Sequence, residues 1–176
     1  MNKTKKHLIK LCILAMLTAL YVVMSAFLKI NFIGNIMLDL GYIIFVIALC
    51  EFKIAGAVVG VLGCTLESIL FSAYGFSISW MVANLIIGVI CGLIFYKTDK
   101  LWIRILTVIG ACAIGLLVAK TGIECLLYSI PLAVKLPKNA VAFAIDTTTM
   151  IIGLIIYQPI SKRIRIRIED KKKEVE

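Results

Sequence analysis

Apolar residues fill this chain in long blocks, and the polar residues between them come in short, sharply bounded runs. The blocks predict helices over residues 8–28, 39–50, 54–71, 78–96, 101–129 and 140–156. Most are long enough at a rise of about 1.5 Å per residue to approach or cross a hydrocarbon core about 30 Å thick. The second is short for a span and the fifth is too long, so its last turns should project past the lipid. Polar turns separate them: 29–38 with Asn31, Gly34 and Asn35, the tight Glu51–Phe52–Lys53, 72–77 with Tyr74 and Gly75, and Lys97–Thr98–Asp99–Lys100. The stretch 130–139, punctuated by Pro131 and Pro137, reads as a loop. Pro159 ends the sixth helix, and a basic tail follows.

Composition agrees with a polytopic membrane protein. The chain has 176 residues, 62% of them hydrophobic and 16% charged, where a soluble domain carries about a quarter charged. The net charge of +9 reflects topology rather than nucleic-acid binding. With six spans and the N-terminus inside, fifteen lysines and arginines fall on the cytoplasmic side and three, Lys29, Lys135 and Lys138, outside. That bias satisfies the positive-inside rule. The expected fold is therefore an all-α integral membrane protein with six transmembrane helices and both termini cytoplasmic. It divides into a membrane domain over 1–162 and a basic tail over 163–176, held at an anionic leaflet. Merging the second and third helices across Lys53 would give five spans. The first block is longer than a signal peptide's apolar region and lacks a cleavage site, so it is kept as a span. The six cysteines lack metal-ligand spacing and read as small buried hydrophobes.

Charges within the blocks are the candidate chemistry. Lys120, Glu124 and Tyr128 fall within about 80° of one helical face. By the same rise Lys120 lies about 25 Å from the inner start of its helix and Glu67 about 20 Å from that of its own. Trp80 and Asn84 occupy the first two turns of the fourth helix, Asp146 lies similarly close to the start of the sixth, and Asp39 caps the second. Every ionisable residue inside the spans thus falls in the outer half, while the inner halves are uncharged and rich in Gly and Ala. A structural ion-pair lattice has no reason to choose one leaflet, whereas a substrate cavity open to the outside must be polar on that side. The competing reading of Lys120 and Glu124 is an i,i+4 ion pair that only locks helices together. No HExxH, GxSxG or Walker P-loop occurs, so the chain is expected to be neither an ATPase nor another enzyme, with no cofactor and no metal. Two matching halves with broken helices, common in secondary transporters, are also missing.

The segment Ala15–Met16–Leu17–Thr18–Ala19 is similar to the alanine motif by which the S components of energy-coupling factor (ECF) transporters dock on their coupling subunit. Met37 to Ile44, Gly56 to Gly63, Ile123 to Pro131 and Leu136 to Asn139 follow in the family's order and spacing. Over residues 5–160 the chain resembles these S components, most nearly their folate-type branch. The resemblance implies a vitamin-binding subunit powered by a transmembrane coupling protein and two cytoplasmic ATPases. It also implies a substrate held between the first loop and helices four to six, and docking through Ala15 and Ala19.

The candidate substrate-binding residues are Asp39, Glu67, Tyr74, Trp80, Asn84, Lys120, Glu124, Tyr128 and Asp146. Aromatic rings there suit a flat ligand, and carboxylates suit ring N–H groups or a cationic amine. Pterins, deazaguanines such as queuosine precursors and thiamin-like cations fit, and the acidic balance counts against folate itself. The expected function is capture of such a micronutrient from outside, at the prokaryotic plasma membrane, for ATP-driven uptake. The alternative is a stand-alone carrier or channel for a small polar or cationic solute.

Overall fold

The computed structural model describes residues 3–28, 30–32, 36–71 and 77–173. Its helices are α1 (Lys3–Phe27), α2 (Gly41–Phe52), α3 (Ala57–Phe71), α4 (Ile78–Lys97), α5 (Leu101–Cys112), α6 (Thr121–Tyr128) and α7 (Leu132–Lys173). Five helical stretches are long and apolar enough to cross a membrane: His7–Phe27, Gly41–Phe71, Ile78–Lys97, Leu101–Tyr128 and Leu132–Ser161.

The second stretch is folded back on itself. Lys53 closes α2 with φ 56° and ψ −129°, a conformation in which a helix cannot continue, and a 3-10 turn over Lys53–Gly56 leads into α3. A Cβ on Gly56 would run into the backbone of Ala48, and one on Gly60 into the Phe45 ring. Only a chain that has reversed direction brings residues 48 and 56 together, since along one helix they would stand about 12 Å apart. The short limbs expected on either side of Lys53 are therefore both present, within one five-stretch count.

The limb α2 is the centre of the bundle. Phe45, Val46, Ala48 and Leu49 are all fully buried, as befits a helix that is apolar all round. The helices α1, α3, α4 and α7 pack around it. On α1 the buried residues Leu14, Thr18, Tyr21, Val22 and Ser25 recur at helical spacing, while Leu11, Met16, Val23 and Phe27 point outward. Apolar side chains on the outside are what a lipid-facing surface requires.

Two expectations are corrected and a third gains a detail. The turn over 29–38 contains a two-stranded antiparallel ribbon, β1 (Ile30–Phe32) with β2 (Ile36–Leu38), paired Ile30↔Leu38, Asn31↔Met37 and Phe32↔Ile36. The block 101–129 is one continuous helical rod, but its middle, Ala113–Lys120, is π-helical. The expected loop over 130–139 is helix: α7 begins at Leu132 and runs through Pro137 and Pro159 to Lys173. The corner before it is only residues 129–131. Ser129 adopts the left-handed conformation at φ 51°, and the Pro131 carbonyl accepts the backbone N–H groups of Val134 and Lys135.

The bundle has two chemically different ends. The α2–α3 reversal, the α4–α5 turn and the start of α1 share one, the basic end. The ribbon, the start of α4 and the α6–α7 corner share the other, the hairpin end. At the basic end Arg104, counted from sequence among the fifteen cytoplasmic cations, is 7% exposed. It pairs with Asp99, donates to the Thr98 carbonyl and stacks over Phe95.

Candidate functional site

Lys120 is carried into the bundle by the π-helical turns. Gly115 lets that segment approach α4 so closely that a Cβ would sit 3.0 Å from the Ala83 carbonyl oxygen. The wider turns leave carbonyls to satisfy, and the Thr121 hydroxyl donates to the Leu116 oxygen, five residues back, at 3.1 Å. Short π-helical interruptions of this kind occur often at functional sites. Lys120 is 4% exposed. Its ammonium donates to Asn139 Oδ1 at 2.7 Å, faces Glu124 Oε1 at 3.6 Å and lies 3.9 Å from the centroid of the Trp80 ring. A buried cation is tolerable only with such partners, because desolvation alone costs several kcal/mol. The ring face contributes about 2 kcal/mol in a desolvated setting.

Glu124, one turn further, is enclosed as well. Ser79 donates to its Oε1 at 3.3 Å and Asn139 Nδ2 to its Oε2 at 3.1 Å. Lys135, on the first turn of α7, lies 3.4 Å from Oε2. Asn139 joins the parts: besides holding Lys120 and Glu124 it donates to Thr121 Oγ1 at 2.9 Å. It bridges α6 to α7 and is 1% exposed. The layer holds two lysines against one glutamate, so it is positive overall.

A second polar layer lies deeper. Asn84 is one turn beyond Trp80 along α4, and Asp146 is seven residues beyond Asn139 along α7, about 10 Å further from the hairpin end. The Tyr42 hydroxyl donates to Asn84 Oδ1 at 3.0 Å. Asp39 accepts from the Ser25 hydroxyl at 2.7 Å and from the Gly41 N–H at 2.8 Å, which fastens α1 to the start of α2. Asn84, Asp146 and Thr147 are each at most 6% exposed. Among the described residues Asn84 Nδ2, Asp146 Oδ2 and Thr147 Oγ1 have no hydrogen-bond partner. Buried polar atoms left so are uncommon, because each costs about 1–3 kcal/mol.

The expected residues thus divide. Trp80, Lys120 and Glu124 come together in the first layer, and Asp39, Asn84 and Asp146 gather around Tyr42 in the second. Glu67 is buried on α3, near Tyr21 and Cys64. Tyr128 was expected on the Lys120 face, but it is 56% exposed, because α6 ends there and the chain turns at Ser129. Tyr74 lies outside the described residues. The depth expected for Asp146 is also corrected. With α7 starting at Leu132, Asp146 is halfway along the Leu132–Ser161 stretch, so the ionisable groups extend to the middle of the bundle. Ala15 and Ala19 lie on the exposed face of α1. Four cysteines are buried, Cys12 is exposed and Cys125 is half-buried, and all six are free thiols.

Sequence reasoning missed Asn139, Ser79, Thr121, Tyr42 and Ser25 as members of these layers. Asn139 read as a turn residue and Lys135 as a loop cation, although their four-residue spacing is the one that places two residues on one helical face. A surface concavity of about 530 Å³, lined by residues including Lys10, Glu51, Lys53 and Tyr96, lies at the basic end, away from both layers.

A family model described as "ECF-type riboflavin transporter, S component" matches residues 5–165. The branch it specifies is the riboflavin one, and the folate-type branch gains no support from it. Among solved structures, the 2.1 Å crystal structure of the S component for biotin from an ECF-type ABC transporter has the same fold. The TM-score is 0.62 at 15% identity, over 92% of this chain and 95% of that one. None of the curated proteins matches the sequence.

Proposed function

The chain belongs to the family of S components of ECF-type riboflavin transporters, and from that membership we propose that it captures a flat heteroaromatic vitamin of the riboflavin class at the outer face of the membrane. The observation that carries the reading is the family match over residues 5–165. The two polar layers support a site at the hairpin end. The hairpin end faces outside in this reading, because the lysines and arginines cluster at the opposite end. The chain then crosses six times, α2 and α3 each making one short crossing, and both termini are cytoplasmic.

The layers supply what such a ligand needs. The half-buried Trp80 offers an aromatic face for stacking. The second layer offers donors and acceptors to a heterocyclic edge, and the first offers cations to carbonyl or hydroxyl oxygens. Asp39, Asn84, Trp80, Lys120, Glu124 and Asp146 are the proposed site. Energy comes from partners, a transmembrane coupling subunit and two ATPases, with Ala15 and Ala19 on the docking face of α1.

Titrating the purified chain with riboflavin tests this reading. Saturable quenching of flavin and tryptophan fluorescence is expected without ATP or partners, and its absence at micromolar flavin overturns the vitamin class. Concentrative uptake by liposomes containing this chain alone would replace the subunit reading with a stand-alone carrier.

A further inference from the structure

We infer that Asp146 is the group that reads the inner end of the ligand, and that it selects a ligand presenting an N–H donor to it. The inference rests on the outward-facing vitamin site proposed above and specifies which way round the ligand lies. Asp146 is 3% exposed and sits at mid-bundle, with Oδ2 unpartnered among the described residues. Among the described residues its charged neighbours are Asp39, a like charge, and Lys120 in the layer above. A fold selected for stability alone has little reason to keep a buried carboxyl group at that depth within electrostatic reach of a second one, since apolar replacement of such groups is commonly neutral or stabilising. A ligand donor delivered to Oδ2 supplies the missing interaction.

The two layers then fix the orientation. Among the described residues the layer nearer the outside holds Lys120 and Lys135 against Glu124, so it suits the carbonyl, hydroxyl or anionic end of a ligand. The inner layer holds Asp146, and Asn84 Nδ2 is a second unpartnered group there, a donor held through Tyr42. One acceptor and one donor match a ring edge carrying an N–H beside a carbonyl. The isoalloxazine ring of riboflavin has one such N–H, flanked by two carbonyls.

The test uses the full chain in detergent with Asp146→Asn and Asp146→Leu, and riboflavin and N3-methylriboflavin as probes. Methylation removes the donor and should weaken binding to the wild-type chain about ten- to a hundredfold, the cost of leaving a buried polar group unpaired. In Asp146→Leu the two flavins should bind alike. A methylation penalty that persists in Asp146→Leu overturns the assignment. Without ligand, both variants should melt at or above the wild-type temperature, because a binding group is relieved rather than a structural one removed. Melting several degrees lower in both assigns Asp146 to architecture and also overturns the inference. If the wild-type chain binds neither flavin, the flavin class falls, and the melting comparison still decides Asp146.

Discussion

The ammonium of Lys120 stands 3.9 Å from the centre of the Trp80 ring, a contact between the π-helical segment and the first turn of α4. It turns a costly buried cation into a brace between two helices. Trp80→Leu should therefore lower stability by about 2 kcal/mol, and Trp80→Phe, which keeps a weaker ring face, by less. Thermal melts of the purified variants measure both. Equal melting temperatures for Trp80→Leu and wild type would show that the ring contributes nothing.

Glu124 has a protein partner on each oxygen: Ser79 and Lys120 on one, Asn139 and Lys135 on the other. Glu124→Gln leaves both lysines without their carboxylate, so the melting temperature should fall by several degrees. Affinity for riboflavin should fall less than in Asp146→Asn. Dissociation constants and melts on the same preparations rank the two residues, and the reverse order would make Glu124 the ligand-reading group.

Lys53 has φ 56° and ψ −129°, a backbone conformation that suits glycine. Its side chain returns one hydrogen bond, to the Cys50 carbonyl at 2.9 Å. Lys53→Gly removes the strain, and a gain of about 1 kcal/mol is expected despite that lost bond. A lower melting temperature would mean that the side chain outweighs the strain.

Ala15 and Ala19 are exposed on α1. Tryptophan at either position should leave riboflavin binding unchanged and block co-purification with the coupling subunit. Wild-type recovery of the complex from Ala15→Trp and Ala19→Trp cells would exclude the alanine face as the docking surface.

Much of this arrangement was legible in the sequence. The apolar blocks gave the helices, and the four-residue spacing of Lys120 and Glu124 gave the heart of the first layer. What was hidden depends on contacts distant along the chain or on departures from regular geometry. Nothing in the composition of Ala113–Lys120 distinguishes a π-helix from an α-helix, and the close approach of Gly115 to Ala83 and Ile87 on α4 is a contact distant along the chain. Pro137 suggested a loop, yet it stands in the second turn of a helix that continues past it. Misplacing that start moved Asp146 outward by about two turns and hid Asn139, whose role depends on α6 lying alongside. The family was recognisable from motif order, but its branch was not, because the acidic side chains that suggested pterin-like ligands are equally suited to a flavin edge.

Mass spectrometry of the small molecule that co-purifies with the full chain tests the central claim most directly. A flavin is expected, about one per chain, lost from Asp146→Leu and retained by Ala15→Trp. A co-purified ligand without a flat heteroaromatic ring, or one retained unchanged by Asp146→Leu, would contradict that claim.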